Sequence, residues 1–128
     1  MSAPEPLARA VRMPTMLAMA HSLGEFEQLV LLAVLRAGDL AYGTRIFQEV
    51  QAAGVRRASR GAVYVTLARL EEKGLLRARP TEGSGERAGR PRRYLRVTGE
   101  GLRALRSSRA TLLRLWTGLE GLLGEAEG

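Results

Sequence analysis

Apolar positions along this chain mark three short helices, an alternating stretch and a longer helical seam. From about Gly24 to Ala37, Phe26, Leu29, Val30, Ala33 and Val34 recur at helical spacing, and Leu31, Leu32 and Leu35 widen the face. So wide a face predicts burial on more than one side. Gly38 and Asp39 end that helix. Tyr42 and Gly43 open a second, Thr44 to Ala53, with Ile46, Phe47 and Val50 inward and Gly54 just past its end. Arg56, Arg57 and Ala58 lead to a third helix over Ser59 to Lys73, N-capped by Ser59 and stopped at Gly74. In it Val63, Leu67 and Leu70 share the core face, and Arg60, Gly61, Tyr64 and Ala68 lie opposite.

Leu75 to Thr81 and Tyr94 to Val97 alternate as short antiparallel strands around the long loop Glu82 to Gly89, with Pro91 at the edge of the returning strand. Thr98 then caps a last helix. Its Leu102, Leu105, Arg109, Leu112, Trp116, Leu119 and Leu123 are spaced alternately three and four apart, the mark of a coiled-coil seam. Arg109 either pairs with a glutamate of another helix or stands at the edge. A small domain has little core left for such a seam, so the expected partner is the same helix of a second copy. Gly118, Gly121 and Gly124 predict fraying at its end. Residues 1–22, with Pro4, Pro6 and Pro14, read as a flexible arm in which Met13, Met16 and Met19 are alternative starts. The expected class is mainly α with a small β-hairpin: arm 1–22, winged helix-turn-helix domain 23–97 and dimerisation helix 98–128.

Composition removes several functions. The chain of 128 residues has no cysteine, so disulfides and thiolate metal sites are excluded. His21, the one histidine, lies in the arm, so neither a metal site nor a Ser-His-Asp arrangement can be assembled around it. Glu71 and Glu72 diverge on a helix and read as solvated surface. The glycines from Gly83 to Gly89 lead into a strand, unlike a dinucleotide loop. No catalytic residue, cofactor or metal is expected. No apolar run is long enough to span a membrane, and Arg12 and Pro14 break up a secretory signal. The cytoplasm is the expected compartment.

Charge adds a direction. Residues 1–55 hold four Arg against five acidic residues; residues 56–96 hold eleven Arg and one Lys against four Glu; residues 97–128 hold four Arg against four Glu. The whole excess of +7 therefore sits on the third helix and the hairpin. Solubility alone gives no reason for that segregation, whereas a face for a polyanion does.

Four blocks in register resemble the PadR family of bacterial transcriptional regulators. They are Leu23 to Leu35, Ala41 to Ile46, Gly61 to Leu76, and Gly89 to Thr98 with Gly101. The resemblance implies a winged helix-turn-helix, a homodimer built through the last helix, and repression from a palindromic operator in double-stranded DNA. In some members phenolic or drug-like aromatics release the DNA. The expected DNA-binding residues are Arg57, Ser59, Arg60, Gly61, Tyr64, Arg90, Arg92 and Arg93. Tyr64 either reaches a phosphate or supports the second helix. Arg60 meets either guanine edges or phosphate. Strand alternation argues against Arg90, Arg92 and Arg93 all touching DNA. Trp116 either floors an effector site or fills the dimer interface. The competing class is an adaptor that turns the same basic face to an acidic protein or to RNA.

Overall fold

The start of the first helix is fixed by one buried carboxylate. The structure, a computed structural model, describes residues 23–79 and 92–127. Helix α1 spans Glu25–Ala37, and Gly24 ahead of it is extended. Its otherwise unpaired N–H donates to Glu27 Oε1 at 3.0 Å, the acidic half of a capping box. The same carboxylate accepts two hydrogen bonds from Lys73 Nζ, at 3.1 and 2.9 Å. Lys73 closes the far end of helix α3 (Arg60–Glu72), so the pair clasps α1 to α3.

Burial pushes the Glu27 carboxyl up, but the Lys73 ammonium, the Gly24 N–H and nearby Arg69 outweigh it and hold it below the usual 4.5. A carboxyl lowered on folding stabilises above its unfolded value, and that contribution is lost as pH falls through the folded one. Melting followed from neutral pH to about pH 3 should therefore show a loss beginning below about 4.5. Glu27→Gln should start about 1–2 kcal/mol less stable at neutral pH and lack that part of the slope. Equal acid slopes in the two proteins would remove the clasp as their cause.

The core collects the stripes expected from the spacing. Val30, Leu31 and Val34 of α1 meet Ile46 and Val50 of helix α2 (Gly43–Ala52), Val63, Leu67 and Leu70 of α3, and Leu75, Leu76 and Leu95. A 3-10 turn, Gly38–Leu40, joins α1 to α2. One expectation fails here: of the wide face of α1, Leu31 is buried, but Leu32 and Leu35 stay 45% and 43% exposed.

Strands β1 (Leu76–Arg79) and β2 (Tyr94–Val97) pair antiparallel, with Leu76 opposite Val97 and Ala78 opposite Leu95. The Leu95 N–H donates to Ala41 O at 2.9 Å, which adds a short third edge in front of α2. Helix α3 ends where Gly74 takes φ +78°, and the Leu75 N–H then returns to Leu70 O at 2.9 Å. Thr98 knits this corner. Its hydroxyl donates to Gly74 O and accepts from the Gly101 N–H, at 2.7 and 3.0 Å. Gly101 sits so close that an added Cβ would press on the Leu75 carbonyl and on Val97 Cγ1.

The last helix departs from its expected form. Helix α4 runs Gly99–Trp116, and a separate α5 runs Glu120–Glu127. Between them Gly118 takes φ +85° and the Gly118 N–H donates to Glu120 Oε1 at 3.1 Å. A left-handed glycine is a helix stop, so the chain turns rather than frays there. The seven-residue seam is therefore not continuous. Leu102 and Leu105 are half-buried, Leu105 against its own domain's core. Arg109, Leu112 and Trp116 stand exposed on α4, Leu119 lies in the turn and Leu123 on α5.

Candidate nucleic-acid interface

Ser59 begins the interface. It is extended, and its Oγ accepts from the Ala62 N–H at 3.0 Å, so α3 starts with its first turn turned outward. Ser59, Arg60, Gly61 and Tyr64 are all exposed there. The guanidinium of Arg60 lies 4.7 Å over the Phe47 ring and donates to Thr44 Oγ1 at 3.3 Å. An added Cβ on Gly61 would meet only Ser59 Oγ, at 4.0 Å. Tyr64 is 43% exposed while its ring end rests on Gly43. A Cβ on Gly43 would stand 2.7 Å from that hydroxyl, so Gly43 is the seat for Tyr64.

Between α3 and the hairpin runs a groove of about 620 Å³, floored by Tyr64, Leu67, Ala68 and Leu95 and flanked by Arg92 and Arg93. The two arginines behave differently. Arg92 stacks 4.5 Å over Tyr42, and hydrogen bonding to Tyr94 raises its already high pKa. Arg93 makes paired hydrogen bonds of 2.6 and 2.7 Å to Glu71, which likewise raise its pKa. Glu71, expected as solvated surface, is thus a strut between α3 and the wing. Glu72 is exposed as expected. Arg57 borders a separate depression with Phe26, Leu29, Val55 and Ala62. Arg90 lies outside the described residues, as do the arm and Met13, Met16 and Met19.

Sequence reasoning missed a ladder at the root of the wing, two tyrosines between two arginines. Arg79 lies 5.1 Å over Tyr94, Tyr94 meets Tyr42 edge-on at 5.6 Å, and Arg92 covers Tyr42. Arg79 also donates to Asp39 O at 2.6 Å. Cations attracted to the ring faces thus join the hairpin to Tyr42 at the start of α2. Strand alternation could have placed Tyr94 on the outer face, but nothing local links it to Tyr42. On that same face Arg77 stands directly opposite Arg96, both exposed and without a carboxylate partner among the described residues. Among those residues no group of side chains could hold a metal ion. No described helix is long and apolar enough to cross a membrane.

A capped helix presenting its first turn, beside a basic two-stranded ribbon, is the winged helix-turn-helix architecture of DNA-binding regulators. The family model for the PadR-like transcriptional regulators matches residues 31–107, and the chain belongs to that family. Two solved structures are similar over nearly their full lengths. A PadR family transcriptional regulator from Eggerthella lenta DSM 2243 is 29% identical, with TM-score 0.57, covering 91% of this chain and 96% of its own. A PadR-like transcription factor from Bacteroides fragilis is 25% identical, with TM-score 0.58, covering 88% and 98%. No curated protein matches the chain. The family comprises transcriptional regulators, not enzymes; they bind DNA and are typically dimers. This chain is a DNA-binding transcriptional regulator.

Proposed function

We propose that the protein is a homodimeric repressor of a palindromic operator. The observation that carries the dimer is the row of apolar side chains that α4 and α5 leave uncovered. Leu112, Trp116, Leu119 and Leu123 are 49%, 39%, 45% and 49% exposed. Leu32 and Leu35 add to the apolar surface a second copy would cover. Two heads on one dyad read half-sites about 34–36 Å apart. The first turn of α3, with Ser59, Arg60, Gly61 and Tyr64, enters the major groove. Arg57, Arg90 and Arg92 meet phosphates, while Arg93 first serves the strut to Glu71. Repression then follows from occupancy of the operator. A flat aromatic effector seated at Trp116 would release DNA by favouring one head spacing over another.

The test is binding of the full chain to duplex from upstream of its own gene, with random-sequence competitor, at low and near-physiological salt. The expected result is a two-fold symmetric footprint and a gap of about 10³-fold or more between that site and random duplex. Binding that random duplex abolishes, or a footprint without symmetry, would sink the reading.

Gly61 supplies a prediction of two signs. Replacing glycine by alanine where the backbone suits both stabilises by about 0.4–1 kcal/mol, and nothing inside the protein requires glycine at this position. Gly61→Ala should therefore melt higher than the parent yet bind operator more weakly, because its methyl group stands on the turn that meets DNA. A variant that gains stability and keeps its affinity would take Gly61 out of the interface.

A further inference from the structure

Arg60 is the first residue of α3, and an unrestrained arginine must be frozen out of many rotamers before it can read a base edge. This one is already restrained, and by α2 rather than by its own helix. One face of its guanidinium is covered by the Phe47 ring at 4.7 Å, and one N–H donates to Thr44 Oγ1 at 3.3 Å. Phe47 is half-buried and packed against the core, which makes it a fixed platform. A guanidinium carries five N–H donors in a rigid plane. Stacking on a ring sets the tilt of that plane, and the bond to Thr44 sets its rotation. An edge remains for a paired contact with guanine O6 and N7.

We propose that Phe47 is a positioning residue for base reading. Its ring, with the Thr44 hydroxyl, sets the plane of the Arg60 guanidinium, so that guanine preference at one operator position depends on α2 as well as on α3. This rests on the placement of Arg60 at the DNA under the proposed function. Phe47 acts through Arg60, and its loss should change selectivity at one position more than overall affinity.

The experiment is selection from a random-sequence duplex pool by the full chain and its variants, with melting measured alongside. The parent should enrich a motif with a guanine at one position of each half-site. Arg60→Ala and Phe47→Leu should each lose preference at that same position by about ten-fold or more. Combining them should add little to either alone, because both remove one interaction. Phe47→Tyr keeps the ring and should keep the preference. Thr44→Val keeps the shape without the acceptor and should show a smaller loss at the same position. It becomes the deciding variant if Phe47→Leu folds poorly.

A Phe47→Leu protein that weakens evenly across all positions would assign the ring a packing role and overturn the proposal. So would tighter binding, which would mean that Phe47 parks Arg60 away from DNA. A parent motif indifferent to Arg60→Ala also overturns it, while leaving sequence-specific regulation standing. A parent that enriches no motif fails at the earlier step, and takes both readings with it.

Discussion

Gly101→Ala is expected to cost about 3 kcal/mol and to lower the melting temperature by on the order of 10 °C or more. Gly101 lies in the first turn of α4 and is buried. The Cβ of an alanine there would be driven into the Leu75 carbonyl, and would stand 2.7 Å from Val97 Cγ1. Neither neighbour is free to retreat. Leu75 O accepts from the Thr98 N–H at 3.0 Å, and Val97 is paired with Leu76 in the sheet. The same collision would pry α4 from the corner that Thr98 ties, so head and C-terminal helix would separate together. Gly121→Ala is the matched control. No heavy atom lies within 4 Å of the added carbon there, and the substitution should be neutral or stabilising by up to about 1 kcal/mol. Circular dichroism is the suitable probe, since Trp116 is the only tryptophan and stands at the far end of α4. A Gly101→Ala protein that melts with its parent would refute the close approach of α4 to the sheet.

Leu112→Glu combined with Trp116→Glu is expected to give a folded monomer whose operator affinity falls about 100-fold or more. Both side chains are exposed in the single chain, at 49% and 39%, and neither belongs to the core of the head. In a dimer the two carboxylates would be buried in an apolar interface at a cost no pairing offsets. Operator affinity then suffers because a second head on the same dyad no longer binds at high effective concentration. Binding to random duplex at low salt should change far less, since the substitutions leave the cationic residues in place. Light scattering and titration against both duplexes check the two halves. A monomer that keeps full operator affinity would mean that one head suffices. A variant that remains dimeric would place the interface elsewhere, with Leu32 and Leu35 as the first surface to substitute.

Much of the head was legible because its signals are local. The apolar spacing placed the first helix within a residue of Glu25–Ala37. Ser59 and Thr98 cap as their positions suggest, each accepting from an N–H three residues on, at 3.0 Å. The left-handed glycines Gly54 and Gly74 end their helices where expected. What stayed hidden is long-range or conformational. Glu71 and Arg93 lie 22 residues apart, and no local pattern tells a paired glutamate from a solvated one. Tyr42 and Tyr94 meet only because the hairpin folds back onto the start of α2. Leu32 and Leu35 belong to the apolar stripe of α1, yet a single copy leaves them 45% and 43% exposed. The C-terminal seam shows the opposite failure. Leucine spacing continues across Gly118 as though the helix did, and composition cannot say which of Gly118, Gly121 and Gly124 turns the chain. Only the first takes a positive φ among them.

The clasp between Glu27 and Lys73 has a practical consequence, because Lys73 is the only lysine in the chain. An acylating reagent meets one side-chain amine, and a lysine-specific protease one cleavable bond, between α3 and the wing. The Lys73 side chain is 28% exposed, and its amine is hydrogen-bonded to both carboxylate oxygens of its partner. Its modification rate therefore reports how often the Glu27–Lys73 clasp between α1 and α3 opens. Measured with and without operator, that rate would show whether holding DNA tightens the joint behind the recognition helix, with no residue substituted beforehand.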